Sequence, residues 1–143
     1  TLIFVIAKIY GKIKFLVSQH SYLKLFLIAL FIPATGEEIL FRGGLIFTRS
    51  EPQSFVAFSI ISLVFFIAWH YLMSKFLPNS DSQTFKKFWF LFCAGIIGVV
   101  GNILVFLNGN LWGAILFHAL IVSLWQKFFS GILWFSHSEK NEY

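Results

Sequence analysis

Charge is scarce in this 143-residue chain: 12% of residues are Asp, Glu, Lys or Arg, and only six of them are acidic. An average soluble domain carries about 25%. With 58% hydrophobic residues and a mean hydropathy of +0.81, the chain reads as an integral membrane protein, with the plasma membrane as its expected location. Cysteine is nearly absent. Cys93, the single one, lies in the apolar run Leu91-Phe-Cys-Ala-Gly95, so a disulfide framework and a thiolate metal site are both excluded, and a small buried hydrophobe is the plain reading. There is no His-Glu-x-x-His and no Ser or Cys in a nucleophile arrangement, which argues against classical zinc, serine and cysteine hydrolases. Methionine occurs once, at Met73, and the chain opens on Thr1, so further residues are expected ahead of it and no signal peptide is legible. The net charge of +5 comes from Lys and Arg scattered at the margins of apolar runs. That is the pattern of membrane-edge anchors, and it argues against a nucleic-acid partner.

What is present in quantity is apolar sequence of membrane-crossing length. At roughly 20 residues per crossing, the chain holds one domain, an all-α polytopic transmembrane bundle of about four spans. Leu2 to Phe15, interrupted by Lys8, Lys12 and Lys14, suits an interfacial helix or the end of an upstream span. Leu25 to Ala34 is too short to cross alone, and Pro33 and Gly36 predict a break before a second helix from Glu37 to about Thr48, the two halves crossing together. Phe55 to Leu72 and Phe88 to Leu107 read as full spans. The second carries Gly95, Gly98 and Gly101, small residues whose spacing lets helix backbones approach. A last span from about Leu111 to Phe129 follows the turn-forming Asn108-Gly109-Asn110. Pro78 to Thr84 is a polar loop, and Ser136 to Tyr143 a polar tail. Lys75, Lys86, Lys87, Lys127 and Lys140 place that loop and the C-terminal end on the cytoplasmic side; Arg49 dissents.

Against this background the buried ionisable groups stand out, because charge within the hydrocarbon is costly and is a functional hypothesis by default. Thr35-x-x-Glu38 has the form of a capping box, which by itself accounts for an acid at a helix start. Glu38 and Arg42 are four apart, on one helix face, where they can pair. Glu37 is rotated by about 100°, so one carboxylate can be held by arginine while the other faces a cavity. His70 and His118 sit within two other spans. Two Glu and two His supply a base for water, a stabiliser for an oxyanion and a proton for a leaving amine, the three needs of peptide hydrolysis.

The ordered set Glu37-Glu38-x-x-x-Arg42, Phe66-x-x-x-His70 and His118, on three separate spans, resembles the CAAX protease and bacteriocin-processing (Abi) family of glutamic-type intramembrane proteases. The resemblance spans a core of residues 33–124. It implies a membrane-embedded helical bundle with a polar cavity and an endopeptidase typified by cleavage after a prenylated cysteine, hence a peptide or protein substrate, prenylated in the typical case, met in membrane lipid. Under the resemblance, Glu37 activates the attacking water with help from Glu38 and His70, His118 holds the oxyanion, Arg42 orients the acid pair, and Phe66 packs beneath His70. The eukaryotic branch carries an Asn four residues after the last His, where this chain has Val122; Asn102 is the candidate replacement donor, or else a helix–helix hydrogen-bond partner. No cofactor is expected, although zinc held by Glu37, His70 and His118 stays open as a second mechanism, since two His and one Glu form a known zinc set. Trp69 and Trp112 are candidate pocket walls. The alternatives to an enzyme are a non-catalytic membrane protein, such as a bacteriocin-immunity or partner-binding factor, and, further off, a proton-coupled transporter.

Overall fold

The computed structural model describes residues 18–76 and 84–128. The readings made for Leu2 to Phe15, for residues 78–83 and for Ser136 to Tyr143 lie outside them. The described residues form helices and turns, with no strand among them.

Helix α1, Tyr22–Ala29, starts where the Ser21 side chain accepts a hydrogen bond from the Lys24 backbone N–H at 3.3 Å. The break expected near Pro33 is milder than a chain reversal. Leu30–Ala34 forms a π-helical turn, and the backbone stays in the right-handed helical region through Ala34 and Thr35 into α2, Thr35–Arg42. Proline lacks an N–H and crowds the carbonyl four residues back; widening the turn relieves that without ending the helix. Thr35 is therefore inside the rod. Its hydroxyl donates to the Leu30 carbonyl at 2.6 Å, and the capping box expected with Glu38 does not form, because no free helix start exists there to be capped. Tyr22 to Arg42 runs for 21 residues, roughly 31 Å at the usual rise. The rod ends at Arg42, earlier than the expected Thr48, because Gly43 and Gly44 turn the chain before the single turn of α3, Leu45–Thr48.

Helix α4, Pro52–Met73, begins with proline at its first turn, the position that needs no N–H donor. Helix α5, Phe88–Asn108, is ended by Gly109 at φ 68°, whose N–H bonds to the Val105 carbonyl at 2.9 Å. Asn110 then accepts from the Trp112 N–H at 3.0 Å and opens α6, Trp112–Phe128. These bounds agree with the spans read from charge-free runs. Both α4 and α5 are long and apolar enough to cross a membrane, with window hydropathies of 2.1 and 2.5. Large apolar side chains such as Phe47, Phe58, Val64, Phe65 and Phe88 point outward, a surface that suits lipid and not water.

Small residues set the packing. Ala29 and Ala34 meet Ile115 and Ala119 of α6, while Leu45, Phe55, Val105 and Ala114 form a second cluster. Arg49, at odds with the charge asymmetry, donates to the Phe106 and Leu107 carbonyls at the end of α5, where a cation complements the helix dipole. At the opposite end, Lys127 donates to the Ser18 and His20 carbonyls, tying the start of α1 to α6.

Candidate active site

Four helices bring the polar groups together. α2 carries Glu37, Glu38 and Arg42; α4 carries Phe66 and His70; α5 carries Asn102; α6 carries His118. Burial separates them into a sealed scaffold and a cavity-facing set.

The scaffold is centred on Arg42, which is 0% exposed, and Glu38, at 1%. Arg42 Nη1 donates to Glu38 Oε1 at 3.0 Å, its Nε donates to Asn102 Oδ1 at 3.2 Å, and its guanidinium lies 4.0 Å from the Phe66 ring centre. Asn102 Nδ2 in turn donates to the Ser59 carbonyl at 3.1 Å. Each partner lowers the cost of burying a charge that would otherwise be strongly unfavourable. Gly98 and Gly101 make room for the pair. A Cβ on Gly98 would lie 3.1 Å from Arg42 Nη2, and one on Gly101 would lie 3.6 Å from Glu38 Oε2. Asn102 is thus a bond between helices, and it does not line the cavity that holds Glu37.

The two histidines are each anchored through Nδ1. His118 Nδ1 lies 2.9 Å from Glu38 Oε1, and His70 Nδ1 lies 2.8 Å from the Phe66 carbonyl. A carbonyl only accepts, and a carboxylate paired with arginine does the same, so both Nδ1 atoms carry the proton. Both Nε2 atoms are then aimed at Glu37. Each is 3.8 Å from Glu37 Oε2, too far for a direct hydrogen bond and the right order of spacing for a water between them. Glu37 Oε2 is itself buried and has no hydrogen-bond partner among the described residues. Phe66 packs against both imidazoles, with ring centres 4.5 Å from His70 and 5.9 Å from His118.

Glu37, His70 and His118 line one cavity of about 110 Å³, which exceeds what a water needs. It follows the last turns of α4, the first turns of α5 and the second half of α6, so it runs from Glu37 toward the end of the bundle where α4 ends and α5 begins. Its walls are mainly apolar and include Trp69 and Val122. Trp112, the other tryptophan proposed as a wall, is 68% exposed and does not line it. Two wall residues escaped the sequence reading. Phe85, one of 20 Phe, stacks on the His70 ring at 6.0 Å and 15°. Gln126 lies eight residues beyond His118, on the same face of α6, a periodicity that was available in the sequence. Among the described residues no group of three or more His, Cys, Asp or Glu is disposed to hold a metal; the 3.8 Å separations exceed the about 3.3 Å expected between tetrahedral zinc donors at 2.0–2.1 Å from the metal.

An all-α bundle with membrane-crossing helices and paired acids and histidines in an internal cavity is the arrangement of a CAAX-type intramembrane endopeptidase, a class that acts on peptide or protein substrates. The chain belongs to the Rce1-like family of type II CAAX prenyl endopeptidases, whose family model matches residues 19–124. No curated protein and no solved structure matches it.

Proposed function

We propose that this protein hydrolyses a peptide bond within the membrane by a glutamate-activated water, with Glu37 as the base. The observation that carries the reading is Glu37 Oε2: a buried acceptor without a partner, 3.8 Å from the Nε2 atoms of both His70 and His118. A water at that point donates one proton to Glu37 and the other to the bare Nε2 of His70. As its oxygen attacks the substrate carbonyl carbon, Glu37 takes the proton and the carbonyl electrons move onto the oxygen. His118, with Nδ1 held by Glu38, donates from Nε2 to that oxyanion when it carries its second proton. Collapse breaks the C–N bond, and Glu37 returns the proton to the leaving amine. General base catalysis of this kind contributes about 10² to 10⁴ in rate.

Glu38 and Arg42 do not touch substrate in this scheme; they hold His118. Apolar walls beside the reacting groups suit a prenylated peptide presented from the bilayer, with the plasma membrane as the proposed location and the α4–α5 end cytoplasmic. The test uses purified protein in detergent with matched prenylated and unprenylated peptides, products being read by mass spectrometry. Cleavage adjacent to the prenylated cysteine is expected, and no cleavage of either peptide overturns the assignment.

A further inference from the structure

A peptide entering the cavity faces a shortage of hydrogen-bond partners. Every substrate residue other than proline brings a main-chain N–H and C=O, and a buried polar group left unpaired is costly. Beyond the three reacting groups, the walls are almost wholly apolar side chains; Thr84 and Gln126 carry the strong polar functions. Gln126 is the more enclosed, at 1% exposure, whereas Thr84 is partly exposed. A primary amide has two donors and two acceptor lone pairs, so it can serve a main-chain N–H and C=O together.

Its position fixes which part of a substrate it can meet. His118, Val122 and Gln126 are successive residues at four-residue spacing on the cavity face of α6. Eight residues of helix span about 12 Å, and an extended peptide advances about 3.3 Å per residue. A chain whose scissile carbonyl lies at Glu37 and His118, and which runs along α6 toward the α4–α5 end, reaches Gln126 after three or four residues. Val122, between them, offers no hydrogen bond, so the intervening residues are held by apolar contact.

We infer that Gln126 is a substrate-positioning residue that hydrogen-bonds the peptide main chain three to four residues from the scissile bond. The inference rests on the proposed peptidase reading, and it makes the protein sensitive to peptide length and indifferent to the side chain at that position.

The test is a binding series on the Glu37→Gln protein, so that turnover does not enter. Peptides are extended one residue at a time on either side of the scissile bond, and Kd is read in detergent. A net hydrogen-bond contribution corresponds to a step of about 5- to 10-fold in Kd, expected on one side only, on reaching the third or fourth residue. Adding Gln126→Leu is expected to remove that step while leaving the shortest peptide's Kd unchanged. N-methylation of the backbone at that residue is expected to remove it from the Glu37→Gln protein as well, a readout that does not depend on the leucine variant folding. A length series with no step, or a step that survives both changes, overturns the inference. Failure of the wild-type protein to cleave any peptide counts separately, against the peptidase reading itself.

Discussion

Gly98 and Gly101 are three residues apart on α5, and both face the buried ion pair, yet alanine at the two positions is expected to behave differently. At Gly98 the added methyl would meet Leu63 Cδ1 at 2.6 Å, Arg42 Nη2 at 3.1 Å and Phe66 Cδ1 at 3.3 Å. Leu63 is only partly buried and can change rotamer. Arg42 and Phe66 cannot retreat independently: one is bound to Glu38 and Asn102, the other lies 4.0 Å beneath the same guanidinium. Overpacking of this kind costs about 1–3 kcal/mol, and the displaced Arg42 moves Glu38 and, through the 2.9 Å bond, His118. Turnover by Gly98→Ala is expected to fall by about 10-fold, the equivalent of 1.4 kcal/mol, with a lowered unfolding midpoint in detergent. At Gly101 the nearest atoms would lie at 3.6 and 3.7 Å, ordinary contacts, so Gly101→Ala is expected to stay within about twofold in turnover and to match or exceed wild type in stability. Equal turnover by the two variants would refute the claim that Arg42 relays the packing of α5 to the histidine.

Three further outcomes follow from the same geometry. Glu38→Gln leaves Arg42 buried without a charged partner and is expected to destabilise the fold by about 3–5 kcal/mol, measured by unfolding in detergent, whereas Glu37→Gln is expected to cost less than about 1 kcal/mol because Glu37 Oε2 makes no hydrogen bond. Asn102→Leu removes the bonds to Arg42 Nε and the Ser59 carbonyl and is expected to cost about 1–3 kcal/mol of stability, with turnover of the folded protein reduced less than 10-fold; a loss of 10² to 10³ would mark it as an oxyanion donor after all. Treatment with a strong chelator is expected to leave turnover unchanged, and a loss restored by zinc would replace the free water by a metal-bound one.

Much of this bundle was legible in the sequence for a reason specific to membranes. Charge-free runs and the Asn108-Gly109-Asn110 turn located α4, α5 and α6 to within a few residues, since lipid tolerates few polar residues between crossings. The same scarcity singled out Glu37, Glu38, Arg42, His70 and His118, and the fold brings them together. Thr35 was harder. The same residue serves as a cap if a helix starts at it and as a back-bonding hydroxyl if a helix passes through, and which occurs depends on the packing of Pro33 and Ala34. Asn102 was ambiguous for a similar reason: its two bonds involve residues 43 and 60 positions away. Phe85 was hidden by abundance, and Gln126 by its place near the end of a span, where a polar residue ordinarily meets the membrane surface.

The direct test of the central claim is single-turnover cleavage by Glu37→Gln, compared with wild type and carried out on protein verified as folded by its unfolding midpoint. A rate about 10² to 10⁴ lower, with substrate affinity and stability kept, is expected if Glu37 takes the proton from water. Cleavage by Glu37→Gln within about threefold of the wild-type rate would contradict it.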